Sequence, residues 1–225
     1  MAREVFAVNH TITGGRSFAN QDVITYKIQY PEFVSHVSLA PLARLNAYYR
    51  ESALALGRSF MSTHEADALA DYYEHRRQGI PFSGYEMNRP YTITYGQDCV
   101  VSLYFDEYTF TGGAHGTTVR TSDTWNALHG RRIDLAALFP QGFAYEELLK
   151  GLIVEEIAAR NAAEPGQYME DYPKLVEEAF NKNQFYLTPG ELVLYFQQYD
   201  IAPYSTGIPT FAFPYRLIGA SLPGC

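Results

Sequence analysis

His115 stands in the stretch Thr109-Phe110-Thr111-Gly112-Gly113-Ala114-His115-Gly116-Thr117, where three glycines fall within five positions between two runs that read as strands. An imidazole on a glycine-supported corner has three uses: a general base, a metal ligand or a hydrogen-bond clasp. Glycine admits positive φ and close packing, so the corner predicts the turn of a buried hairpin. Catalysis needs a partner beside the ring, and the sequence places none there. Gly112, Gly113, His115 and Gly116 are therefore expected to form a structural corner, and a hydrolase centred on His115 is the enzymatic alternative. His10, His36, His64, His75 and His129 lack the spacing of metal ligands. Asp106 and Glu107 are strand neighbours, so their carboxylates point to opposite faces and do not pair for sugar hydrolysis. Glu146-Glu147, Glu155-Glu156 and Glu177-Glu178 read as solvated helix faces. No phosphate loop, dinucleotide fingerprint, His-Glu-x-x-His, Gly-x-Ser-x-Gly or Cys-x-x-Cys occurs. The residues thus point away from an enzyme, and no catalytic residue, metal or cofactor is expected.

Two features suit recognition instead. Tyr104 and Tyr108 flank Asp106 on one side of a strand, and with Trp125 they make a possible glycan face; the alternative is a half-solvated sheet face with cross-strand aromatic pairs. The second feature is the long connection Gln197 to Pro209. Pro203 restricts its backbone, so Tyr204 would lose little entropy on binding, as an anchor residue should. Tyr199, Ile201, Pro203 and Tyr204 are the candidate partner-binding residues; the alternative packs Tyr204 inward.

Composition narrows the partners. The 225 residues carry a formal charge of −8, and the arginine pairs Arg76-Arg77 and Arg131-Arg132 are too short for a phosphate track, so nucleic acid is not expected. An acidic field steers a basic partner. Nineteen tyrosines exceed the ordinary share and suit half-wet sheet faces or a binding surface. Cys99 lies in an apolar strand-like run and Cys225 is the final residue, so no disulfide framework is expected. No run of about 18 apolar residues is present, so no membrane span is expected and the chain reads as soluble.

The elements that must position these residues follow from hydrophobic period. Glu4 to Thr13 and Val23 to Tyr30 alternate as an antiparallel strand pair, with Gly14-Gly15 beginning the turn between them. Leu42, Leu45, Tyr49, Ala53, Leu56, Phe60, Thr63, Ala66, Ala70 and Tyr73 predict one long helix from Pro41 to Gln78, with Gly57 weakening its middle. Pro90 to Phe110 resumes period two; Cys99, Val101, Leu103 and Phe105 face a core while Ser102, Tyr104, Asp106 and Tyr108 face away. Thr117 to Leu128 is the partner strand. Asp134 is placed to cap a turn through Leu138, and Tyr145 to Arg160 is a helix with Leu148, Leu149, Leu152, Ile153 and Ile157 inward. Tyr172 to Phe180 predicts a short helix. Tyr186-Leu187 and Leu192 to Phe196 form a hairpin, and Thr210 to Leu217 is the last strand. This grouping lacks the regular alternation of a parallel sheet and predicts an α+β class: antiparallel sheets with one long N-terminal helix and two or three C-terminal helices.

Four blocks carry a family resemblance: Gly112-Gly113-Ala114-His115-Gly116, Gly130-x-x-Ile133-x-Leu135-x-x-Leu138-Phe139, Phe185-Tyr186-Leu187-Thr188, and Tyr199-x-Ile201-Ala202-Pro203-Tyr204-x-x-Gly207. In order and spacing they resemble the RsiV-type C-terminal domain over about 111 to 218. Residues 4 to 110 resemble the PdaC-type N-terminal module that usually precedes it. The implied division is 1–110 and 111–225. The resemblance implies an α+β pair outside any catalytic machinery, used for sensing or binding at the cell surface and therefore extracytoplasmic. It implies lysozyme, a basic protein, as ligand of the RsiV branch, and the Pro203-Tyr204 loop as the partner-facing part. A cell-wall accessory module that binds peptidoglycan is the other class considered.

Overall fold

The computed structural model describes residues 5–35, 40–222 and 224; His36 and Cys225 lie outside them. Among the described residues the order is β1 (Val5–Phe18), β2 (Gln21–Ser35), α1 (Ala40–Gln78), β3 (Tyr85–Arg89), β4 (Tyr91–Gln97), β5 (Val100–Phe110), β6 (Thr117–Asn126), β7 (Arg131–Arg132), α2 (Tyr145–Ala163), α3 (Tyr172–Ala179), β8 (Phe185–Leu187), β9 (Glu191–Tyr195), β10 (Thr210–Pro214) and α4 (Tyr215–Ile218). A seven-stranded sheet runs β1-β2-β3-β5-β6-β7 with β4 also paired to β5, and a three-stranded sheet runs β10-β9-β8. The class is α+β, as the grouping of periods predicts. Contacts divide the chain into two units, one of Phe6–Tyr91 and Phe105–Val119, the other of Thr92–Tyr104 and the chain from Arg120 onward.

In the first unit, Ala19 and Asn20 make the β1-β2 turn with φ of 48° and 63°, the positive pair that a two-residue hairpin needs. Gly14 and Gly15 are therefore not in the turn; they lie inside β1. The reason is Tyr26. A Cβ on Gly14 would come within 2.6 Å of its Cε1, and one on Gly57 within 2.8 Å of its Cε2, so the ring fills the space that both glycines leave open. Gly57 is thus a packing residue of α1 rather than a weak point. Alanine raises intrinsic helix propensity by about 1 kcal/mol over glycine, yet Gly57→Ala is expected to destabilise by about 1–3 kcal/mol through overpacking. Thermal denaturation checks the sign, and the double variant with Tyr26→Ala removes the overpacking component.

Helix α1 is continuous and packs on β2 and β3. Leu42, Leu45, Tyr49, Ala53 and Phe60 are buried, but the inward face then continues through Ala68 and Tyr72, while Thr63, Ala66, Ala70 and Tyr73 are exposed. Repeated steps of three rotate off a face that turns every 3.6 residues. Strand β3 pairs parallel with β2, Ile24 opposite Tyr85, and antiparallel with β5, Asn88 opposite Tyr108. Its five residues carry too short an alternation to read in advance.

In the second unit, the stretch predicted as a single period-two section is a hairpin. Asp98, at φ 56°, turns β4 into β5, so Cys99 lies in a turn rather than a strand. Cys99 is also disulfide-bonded, a single bridge in a chain whose sequence shows no disulfide framework. Ser102 does not face solvent: it is fully buried, its Oγ lies 2.8 Å from Thr124 Oγ1, and it accepts the Leu187 N–H at 2.9 Å. Leu149, Ile153 and Ile157 of α2 share one core with Leu187, Leu194, Phe196, Ile201 and Phe211. Strand β10 ends at Pro214, and Tyr215–Ile218 turns helical.

Candidate functional site

The connection from β9 to β10 is built as a fixed projection. Phe196 N–H donates to Pro209 carbonyl at 3.1 Å and closes its base. Gln197 clasps β6 through its side-chain amide, accepting Arg120 N–H at 2.9 Å and donating to Arg120 carbonyl at 2.8 Å. The Gln197 N–H donates to Asp200 Oδ2 at 2.8 Å, and burial pushes the Asp200 carboxyl above its usual range against that pull. Between them Tyr199 adopts φ 70°, a left-handed conformation that a bulky residue rarely takes. Ile201 and Ala202 are buried in the core, and Ile201 carbonyl accepts Met169 N–H at 3.1 Å. A 3-10 turn at Tyr204–Thr206 follows, tied by Thr206 Oγ1 donating to Gln167 carbonyl at 2.8 Å.

This framework leaves Tyr199 51% exposed and Tyr204 half-buried, with ring centroids 5.9 Å apart and planes tilted by 32°. Pro203, at φ −67°, is partly exposed. Of the four candidate residues, Tyr199, Pro203 and Tyr204 therefore reach the surface and Ile201 anchors them from inside. Beside the turn lies a concavity of about 420 Å³ bordered by Glu164, Gly166, Gln167, Ser205 and Thr206.

The three residues of the possible glycan face are treated differently by the fold. Trp125 is buried, opposite Arg132 in the register, with that guanidinium 5.1 Å from its ring. Tyr104 is half-buried, with the Arg120 guanidinium 3.9 Å from its ring and Tyr186 at 5.1 Å. Tyr108, in the other unit, lines a groove of about 650 Å³ with Thr25, Lys27, Glu86 and Asn88. The register sets Lys27, Asn88 and Tyr108 in a row across β2, β3 and β5.

Gly112, Gly113 and His115 of the glycine corner are exposed rather than buried. Gly112 and Gly113 take φ of 95° and 87°, and His115 Nδ1 lies 3.0 Å from Gly116 carbonyl. Gly116 itself is buried, where a Cβ would sit 2.5 Å from the Tyr108 ring. Among the described residues no three His, Cys, Asp or Glu side chains gather as a metal site, and no helix is long and apolar enough to cross a membrane.

A polar cluster in the first unit escaped the sequence. Asp71 and His75 stand one turn apart on α1, and Tyr85 on β3 donates from its hydroxyl to Asp71 Oδ2 at 2.6 Å. The spacing of four was a signal, but β3 had to be known to bring Tyr85 to it. Burial and then the Asp71 carboxylate push the Tyr85 phenol up to about 12. An unfolded tyrosine ionises near pH ~10, so above that pH the unfolded chain sheds a proton that the folded one keeps. Stability is thus expected to be fully retained below that pH and to fall as pH rises toward about 12. Chemical denaturation across this window checks it, with a shallower slope expected for Tyr85→Phe.

Residues 18–118 match the family model described as Deacetylase PdaC, and residues 136–216 match the model described as Protein of unknown function (DUF3298). A DUF3298 family member from Bacteroides fragilis NCTC 9343 superposes with a TM-score of 0.71 at 19% identity, covering 98% of this chain and 94% of that one. A DUF3298 family protein from Pseudomonas aeruginosa PAO1 superposes with a TM-score of 0.62 at 18% identity, covering 98% and 95%. At these identities the likeness is one of fold. No curated protein matches the chain. A PdaC domain followed by a DUF3298 domain is the assignment these findings support.

Proposed function

We propose that this chain is a non-enzymatic recognition module that binds a basic protein of the lysozyme kind through Tyr199, Pro203 and Tyr204. The observation that carries the proposal is the pair of tyrosine rings 5.9 Å apart on a loop whose backbone is already held at both ends. Ordering a side chain at an interface costs about 0.5–1.5 kcal/mol, and much of that cost is met here before a partner arrives. Tyrosine is enriched among residues that dominate binding energy. A formal charge of −8 and Glu164 at the adjoining concavity favour a cationic partner. The disulfide at Cys99 suits an oxidising compartment outside the cytoplasm. Calorimetric titration with lysozyme tests the proposal: saturable heat at micromolar concentrations is expected, and its absence removes lysozyme as the ligand.

A second reading rests on the groove at Tyr108. An aromatic ring with Asn88, Lys27 and Glu86 offers the stacking surface and hydrogen-bonding groups that a wall glycan uses. Peptidoglycan pull-down separates the readings: Tyr108→Ala releases the chain if this groove binds glycan, and equal retention by wild type, Tyr104→Ala and Tyr108→Ala counts against it.

A further inference from the structure

A cavity of about 250 Å³ lies where the last turns of α1 meet the glycine corner, lined by Asp71, His75, Phe82, Tyr85, Phe110 and the backbone of Gly112-Gly113. Its size falls below the range of about 300–1,000 Å³ typical of small-molecule sites, so it admits the tip of a side chain or a small amine rather than a sugar ring. Four aromatic rings line it: Phe82 and Tyr85 have centroids 6.4 Å apart, the His75 ring meets Phe82 edge-on at 5.3 Å, and Phe110 adds a third benzenoid ring. Its charged group is the Asp71 carboxylate. That carboxylate accepts the Tyr85 hydroxyl, and no lysine or arginine pairs with it among the described residues. His75 Nδ1 lies 2.7 Å from Asp71 carbonyl, which can only accept, so Nδ1 carries the proton of that contact. Asp67 is near enough to act electrostatically on the Tyr85 phenol, adding a second negative charge. The corner keeps the cavity free of side chains, since a Cβ on Gly113 would meet nothing within 4 Å and Gly112 has only the Tyr85 ring at that distance.

Negative charge, acceptor atoms and aromatic faces all favour one kind of guest. We infer that this cavity binds an organic ammonium group, primary or methylated, held by the Asp71 carboxylate against the faces of Phe82, Tyr85 and Phe110. Cation–π attraction and charge-assisted hydrogen bonding act in the same direction here. An anion would face the carboxylate, and a neutral alcohol would forfeit both effects. The site lies in the first unit and does not depend on the tyrosine loop of the second.

The test is a nitrogen-15 NMR titration of the full chain with n-butylammonium, tetramethylammonium, Nα-acetyl-lysine amide and, as the neutral control, 1-butanol. Saturable shifts of the Gly84, Gly112 and Gly113 amides are expected with the cations and not with 1-butanol at equal concentration. Asp71→Asn should weaken binding by about ten-fold or more, the loss of one charge-assisted contact. Phe82→Leu, which keeps an apolar wall without a π face, should weaken tetramethylammonium by about three-fold or more. It carries the test if Asp71→Asn does not fold. Binding of the lysine amide as tightly as n-butylammonium assigns the guest to a protein side chain, and its exclusion assigns it to a free amine. Equal shifts with 1-butanol, undiminished cation binding in both variants, or no shift with any cation overturns the inference.

Discussion

Replacing Tyr199 and Tyr204 together by alanine is expected to weaken the lysozyme complex by about 100-fold or more, with each single change costing about 10- to 30-fold. The folded chain should hardly notice. Tyr199 is half in solvent and Tyr204 lies on the turn rather than in the core, so the melting temperature should move by less than about 4 °C. Calorimetry on the variants beside their melting curves separates the two effects. Phenylalanine at both positions keeps the rings and removes the hydroxyls, so most of the affinity should survive if the aromatic surface is the anchor. A loss of affinity that merely follows a loss of fold would show that the tyrosines support the loop and do not meet the partner.

Ile201→Ala is expected to do the reverse, acting on stability first. The side chain is wholly excluded from water and shares a core with Phe196 and Phe211, and its carbonyl holds Met169. Emptying such a site costs about 2–5 kcal/mol, which lowers the melting temperature by roughly 5–15 °C for a chain of this size. Ile201→Val should cost only about 0.5–1.5 kcal/mol. Binding should weaken in the alanine variant as well, because the loop loses the plug that pre-sets its shape, and the valine variant should bind like wild type. The position sits three residues before Tyr204, so the contrast between the two sites is a test of how the loop is divided into anchor and surface.

That division was only half legible from the chain. Helix α2 was read with its inward face because Leu149, Ile153 and Ile157 repeat at helical spacing, and the hairpin of β8 and β9 because Thr188-Pro189-Gly190 separates two apolar runs. The loop bounds followed from the strands on either side. Whether Ile201 or Tyr204 turned inward did not, since the choice depends on Met169 and Gln167, distant in sequence. Ser102 looked like a solvent-facing residue by alternation, but the residue that satisfies it is the backbone of Leu187, a long-range partner that no local pattern announces. Gly14-Gly15 carried a turn signal that belonged to the packing of Tyr26, and the true turn at Ala19-Asn20 had no glycine to mark it. The glycan-face tyrosines shared a strand, but β5 contributes Tyr104 to one unit and Tyr108 to the other.

Amide hydrogen exchange of the full chain, alone and saturated with lysozyme, tests the central claim most directly. Protection concentrated in residues 197–209 is the predicted outcome. A saturated complex in which that segment exchanges as freely as before, with protection elsewhere, would contradict it.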